Sequence, residues 1–255
     1  MASITLDKGE WLHHLGQFNS SMNDLKISVF ESPVCIDYSA GYQTHYINVS
    51  HSYPDATAKG GTLLISDLDK ACAFLKKCSG DVTLKQVSNG NTLYLSSGNL
   101  KMNLPITDMK STQLISTYQK LEKAAEESNW EKFGLDVYTV QGESNLRDIL
   151  KLSTLKGLVD SDSDFSISAN VKSGELVVAA GKAHDVKMFA TSAFTKATGP
   201  KTTVKSNFGP WLLPCLSLID TDMNSSIHFG EATGFVVHQA DAVTKRLLII
   251  IDQQE

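Results

Sequence analysis

"SNLRDILKLSTLKGLVDSDSDFSISANVKSGELVVAAG", residues 144–181, is the stretch that decides the fold. Its first part has a helical rhythm. Asn145 stands as a cap, Leu146, Ile149 and Leu150 recur at helical spacing, and Gly157 stands as a stop. Arg147 and Lys151 lie one turn apart on the opposite side. The second part alternates apolar and polar residues through "DFSISANV" and "ELVVAAGK", joined by a Lys-Ser-Gly turn, which is the pattern of a β-hairpin. An amphipathic helix that turns cations outward and then enters antiparallel strands is the unit from which the rest can be read.

The same order recurs upstream. In residues 66–79 a helix is expected with Ser66 as cap, Leu68, Ala71, Cys72, Leu75 and Cys78 inward, and Gly80 at its end. "DVTLKQVS", "NTLYLSS" and "NLKMNLP" follow as strands, separated by Asn-Gly and Ser-Gly-Asn turns. Earlier still, "DKGEWLHHLGQFNSS" reads as a helix capped by Asp7, with Trp11, Leu12, Leu15 and Phe18 on one face. "LKISVFE", "VCIDYSA" and "QTHYINVS" come after it as strands. Downstream, "VKMFATSAF" is a third strand after the hairpin, and 206–220 is helix-like although Pro210 and Pro214 fall within it. "SSIHFGE", "GFVVHQA" and "RLLIIID" end the pattern. Helix, three strands, helix, three strands thus occurs twice, an α+β fold of two similar domains. The expected division is 1–110, a connector 111–141, and 142–255. The connector is structured, because Leu114, Tyr118 and Leu121 in "STQLISTYQKLEKAAEESNWEKF" have helical spacing and "LDVYTV" alternates like a strand.

Composition narrows the function. The 255 residues carry a formal net charge of -5 and 42% hydrophobic residues, as expected of packed globular domains. No apolar run reaches the roughly 18 residues of a membrane span, and the N-terminal residues lack a secretory pattern. Cys35, Cys72, Cys78 and Cys215 form no C-x-x-C pair, so they read as buried free thiols in a cytoplasmic protein.

No catalytic constellation is present. G-x-S-x-G, H-E-x-x-H and a phosphate-binding glycine loop are all absent from the sequence. "VDSDSDF" imitates a calcium loop through Asp160, Asp162 and Asp164, but Phe165 stands where Gly is needed and Val171 where Glu is needed. His13 and His14 are adjacent on a helix and point in different directions. They read as a partly exposed surface pair with no partner ligand spaced for a metal, and His45 and His51 add nothing stronger. A non-enzymatic protein with no metal and no cofactor is expected.

The cations are segregated. Lys70, Lys76 and Lys77 face Asp67 and Asp69 in the second helix, a net of +1, and Arg147, Lys151 and Lys156 face only Asp148 in 144–157, a net of +2. Lys8 balances Glu10 in the first helix, while Lys201 and Lys205 outnumber Asp220 in 201–220. An acidic chain excludes whole-surface nucleic-acid binding and leaves only a local patch. Each helix taken alone reads as an ordinary solvated face.

Taken together, "SDLDKACAFLKKCSGDVTLKQVSNGNTLYLSS", the stretch 144–181 and the final "GFVVHQADAVTKRLLIIID" resemble the DNA sliding clamps over nearly the whole chain. The likeness is to the two-domain, homotrimeric kind found in tailed phages and, as proliferating-cell nuclear antigen, in eukaryotes. It implies a DNA-clamp fold, in which each domain packs two helices on antiparallel sheets and three chains close a pseudo-six-fold ring. It implies a processivity factor that encircles duplex DNA without sequence preference and tethers a replicative polymerase, in the host cytoplasm if phage-encoded. Lys8, Lys70, Lys76, Lys77, Arg147, Lys151 and Lys205 would face the duplex. Edge strands would join subunits through Leu100, Met102 and Leu104 on one side and Val186, Met188 and Ala190 on the other. Polymerase and clamp-loader tails would dock near Leu247, Leu248, Ile249 and Ile250. Two other readings remain open from the residues: a monomeric clamp-like factor holding DNA on an open basic face, and a β-rich assembly protein with no nucleic-acid role.

Overall fold

Among the described residues a strand, a helix and three further strands follow one another four times, with a short extra strand after the first and the third repeat. The structure, a computed structural model, describes residues 1–19, 22–107, 109–112, 114–127, 129–150, 164–181 and 188–252. Two compact units divide it. One comprises Met1–Tyr42, Ile47–Ser116 and Ala240–Lys245; the other comprises Gln43–Tyr46, Thr117–Gln239 and the residues from Arg246 on.

The first unit runs β1 (Ala2–Asp7), α1 (Lys8–Asn19), β2 (Leu25–Glu31), β3 (Val34–Gly41), β4 (His45–Ser52), β5 (Thr57–Lys59), β6 (Gly61–Ile65), α2 (Leu68–Lys77), β7 (Asp81–Gln86), β8 (Thr92–Ser97) and β9 (Leu100–Pro105). Each leading strand is exchanged between the two repeats. β1 pairs antiparallel with β7 and so joins the sheet β5-β1-β7-β8-β9, while β6 pairs with β2 in the order β4-β3-β2-β6. Both leading strands are absent from the sequence reading above. β1 alternates buried Ala2, Ile4 and Leu6 with half-buried Ser3 and Thr5, a period of two that stops where the helix signal at Asp7 begins. β6 closes a stretch that reads as polar, yet its Leu63 and Ile65 are fully buried.

Trp11, Leu15 and Phe18 of α1 are all inaccessible to solvent, and the Trp11 indole N–H donates to the Val82 carbonyl at 2.9 Å. Asp7 Oδ1 accepts the Gly9 N–H at 2.7 Å, as the sequence leads one to expect of a helix cap. In α2 the cap differs from expectation. Asp67 accepts the Lys70 N–H at 2.9 Å, while the Ser66 hydroxyl donates to the Pro105 carbonyl at 2.7 Å. Leu68, Ala71, Cys72 and Leu75 are its buried face. Full burial of Leu68 and Leu75 contributes roughly 2–3 kcal/mol each before conformational entropy is subtracted.

Next come α3 (Ile115–Glu127), β10 (Val140–Ser144), α4 (Arg147–Leu150), β11 (Phe165–Asn170), β12 (Glu175–Ala180), β13 (Met188–Ala193), β14 (Thr195–Thr198), β15 (Thr203–Phe208), α5 (Leu212–Leu216), β16 (Ser225–Gly230), β17 (Gly234–Ala240) and β18 (Thr244–Ile251). The exchange of leading strands recurs in the second unit. β15 pairs with β11 in the sheet β13-β12-β11-β15, and β10 pairs with β16 in the order β14-β10-β16-β17-β18. Gly142 of β10 is a glycine because the Phe194 ring lies where its Cβ would stand, at 2.5 Å. Gly234, at φ +113°, would place a Cβ 2.0 Å from the Ile250 carbonyl oxygen.

The segment 206–220 is not one helix. Its start belongs to β15, where Val204, Ser206 and Phe208 are buried at alternate positions, and α5 is only Leu212–Leu216. Pro214 sits third in α5, inside the first turn, where its missing N–H leaves no intrahelical bond unmade. The helix expected within 111–141 is observed as α3, whose Tyr118 ring stacks on Tyr46 at 5.2 Å. "LDVYTV" is not a strand along its length; β10 starts at its final residue, Val140. Tyr138 packs instead against Trp130 at 4.8 Å, and the Trp130 indole donates to His228 Nδ1 at 2.8 Å.

Candidate nucleic-acid interface

α2 brings three cations to the surface of the first unit. Lys70, Lys76 and Lys77 are all exposed, opposite the buried Leu68–Cys72–Leu75 face. Lys76 and Lys77 occupy the last turn, where the negative end of the helix dipole favours them. Lys70 forms an ion pair with Asp67 at 2.8 Å; that hydrogen-bonded partner raises the Lys70 pKa and lowers that of Asp67. Lys8, at the start of α1, is half-buried, and its Nζ donates to the Cys78 carbonyl at 2.9 Å. It closes the C-terminal end of α2 and comes to the end of the helix where Lys76 and Lys77 stand.

In the second unit α4 presents Arg147. Asn145 Oδ1 accepts the Arg147 N–H at 3.1 Å, which is the expected capping contact, and Leu146 and Ile149 are buried. The guanidinium pairs with Asp222 at 2.8 Å, with 55% and 85% of the two side chains exposed. Such a pair is worth about 0–1 kcal/mol, so a phosphate can replace the carboxylate at little cost. Lys151 lies outside the described residues. Lys205 stands on β15 rather than on a helix; it is exposed between buried Val204 and Ser206, and its backbone N–H donates to Glu231 at 2.9 Å. Helix residues Lys8, Lys70, Lys76 and Lys77 are thus gathered in one unit, Arg147 stands on a helix of the other, and Lys205 is on a sheet face.

The two strands expected at a subunit contact are sheet edges. β9 ends the five-stranded sheet of the first unit, with Leu100 47% exposed, Met102 half-buried and Leu104 buried. β13 ends a sheet of the second unit; Met188 and Ala190 are half-buried there, and Val186 lies outside the described residues. Sequence reasoning passed over Phe189, which is 65% exposed on that edge. Its signal was available, since it is the residue on the opposite face of an alternating edge strand. Leu247, Leu248, Ile249 and Ile250 are all buried, so β18 is core along this run.

The histidine pair is divided. His13 is exposed, but His14 is 2% exposed, which corrects the expected surface pair. A ligand partner also stands one turn before it, Glu10. Among the described residues, Glu10, His14 and His51 are the group whose ligand atoms come together, all within 4.8 Å. Two other histidines are held neutral: burial lowers the pKa of His45 to about 4, and burial followed by the nearby His238 does the same for His228.

No protein-family model and no curated protein sequence matches this chain. Solved structures do. The proliferating-cell nuclear antigen of A. fulgidus, solved with the C-terminal region of FEN-1 bound to it, is 12% identical, with a TM-score of 0.65 over 100% of this chain and 99% of that one. The antigen of Thermococcus kodakaraensis is 12% identical at a TM-score of 0.63, over 99% and 100% of the two chains. The H. pylori beta clamp is 10% identical at a TM-score of 0.64, and the match takes in 64% of its longer chain. At such identities the likeness is one of backbone, and it extends over both units. The fold of this chain is that of the DNA sliding clamps.

Proposed function

We propose that the chain is a DNA sliding clamp, a non-enzymatic processivity factor of the phage and proliferating-cell-nuclear-antigen type. Three copies close head to tail into a ring around duplex DNA and hold a polymerase on its template. The observation that carries the reading is the position of exposed cations on α2 and α4, helices that hold the same place in a repeated strand–helix–three-strand unit. Sequence-independent contacts to phosphates suit a protein that must slide, and an acidic remainder keeps DNA from the outer surface. The domains are 1–110 and 142–255, and 111–141 joins them. The edges of β9 and β13, which end their sheets among the described residues, serve as the subunit contact, each covered by the neighbouring chain. Polymerase and loader tails are the expected protein partners, by analogy with the FEN-1 segment on the A. fulgidus antigen.

Retention on DNA tests the topological part. Loaded onto a nicked circle, the protein is expected to survive a high-salt wash and to be lost once the circle is cut. Equal loss from circle and linear DNA would replace the ring by an open basic face. Absence of DNA binding at low salt would leave a β-rich assembly protein.

A further inference from the structure

We propose that Glu10, His14 and His51 form a three-ligand site for a divalent transition-metal ion of the zinc type. Glu10 and His14 are four apart on α1 and so share one face of the helix, with Glu10 Oε2 3.8 Å from His14 Nε2. His51, on β4, brings its ring to 4.8 Å from that of His14. A tetrahedral ion with bonds of about 2.0–2.1 Å holds its ligands roughly 3.4 Å apart. The observed cluster reaches that spacing through small movements, and Glu10, whose side chain is 52% exposed, is free to swing.

The imidazoles are oriented as ligands are. His14 is buried and stacks on Tyr38 at 5.1 Å with an interplanar angle of 12°. His51 Nδ1 lies 2.7 Å from the Thr244 hydroxyl. With Nδ1–H donating to that oxygen, Nε2 is the metal-binding nitrogen. This outer contact holds the ring in place in the way that supports metal-bound histidines.

A second observation points to a cation. Glu10 and His51 open on a cavity of about 400 Å³, whose wall adds the carboxylates of Asp7, Asp55 and Asp81. Among its described lining residues none is Lys or Arg. A concave surface with one sign of charge concentrates ions of the other. Two imidazoles and one carboxylate favour zinc-type ions over magnesium or calcium, and the cavity supplies water for the fourth position. Bound there, the ion clips α1 to β4 within the first unit and stabilises that unit by mass action.

The test uses full-length protein stripped with a chelator and titrated with Zn²⁺ alone by calorimetry, with Co²⁺ absorption as a second probe. One ion per chain is expected, with the intense visible bands of a tetrahedral cobalt site. Glu10→Gln and His51→Gln should each weaken binding by well over about tenfold, and Thr244→Val by about tenfold. His13→Gln should bind as the parent does. Circular dichroism of each stripped variant shows that it is folded; because the Glu10 carboxylate is exposed, E10Q keeps the test open if a histidine variant unfolds. No saturable binding by the parent protein overturns the proposal. So does binding that E10Q leaves intact or that H13Q removes.

Discussion

His228 sets a pH dependence whose size follows from its surroundings. The ring is buried, and its Nδ1 accepts the Trp130 indole N–H at 2.8 Å. Adding a proton at Nδ1 would set two donors against each other and leave a charge buried away from water. Burial first, and the nearby His238 second, lower its pKa from 6.5 to about 4. The unfolded chain therefore binds this proton more readily than the folded one. The stabilisation is complete above about pH 6.5 and is lost as pH falls toward about 4. At about pH 5 the difference between the two states amounts to roughly 2 kcal/mol for this one group. His228→Asn keeps an acceptor for Trp130, since Oδ1 takes the place of Nδ1, but it cannot titrate. Urea unfolding of the parent and H228N at about pH 7.5 and about pH 5 isolates the effect. His45 and the carboxylates act alike in both proteins and cancel. The parent should lose roughly 2 kcal/mol more than the variant over that interval. An identical loss in both would refute the assignment of His228 as a buried neutral acceptor.

Further outcomes follow from other parts of the structure. Reversing Lys76 and Lys77 to Glu should lower DNA affinity and flatten its salt dependence by about one unit of slope per phosphate contact removed, with a thermal midpoint close to the parent's. Filter binding across a salt series reads this, and an unchanged slope would return α2 to an ordinary solvated face. Gly234→Ala should destabilise by about 3 kcal/mol in denaturant unfolding, because a Cβ there meets the Ile250 carbonyl at 2.0 Å and the backbone is at φ +113°. Phe189→Asp should leave the single chain's stability within about 0.5 kcal/mol, as expected of so exposed a residue. It should nevertheless shift the protein to smaller species in sedimentation; unaltered assembly would remove β13 from the subunit contact.

The elements with the plainest periodicity were legible in the sequence. α1 and α2 declared themselves through Trp11, Leu15 and Phe18 and through Leu68, Cys72 and Leu75, and the strands β2, β3, β7, β8, β11 and β12 through alternation and turn residues. The leading strands were harder. β1 and β6 run straight into helix signals and pair with β7 and β2 of another repeat, so their alternation is masked by the helix that follows each. The end of β15 and α5 together read as the helix-like segment 206–220, because Phe208, Trp211 and Leu212 place apolar residues across a strand end and a helix start. At the candidate interface, sequence order could place Lys70, Lys76, Lys77 and Arg147 on helices. It could not show that Lys205 belongs to a strand or that Leu247–Ile250 are enclosed. Nor could it bring His51 to Glu10 and His14, since that meeting depends on tertiary packing.

The mass of the assembled protein tests the proposed ring most directly. Light scattering on the purified chain at micromolar concentration should give three times the mass of one chain, the stoichiometry that six clamp-like domains in one ring require. A stable single-chain mass under those conditions would contradict it.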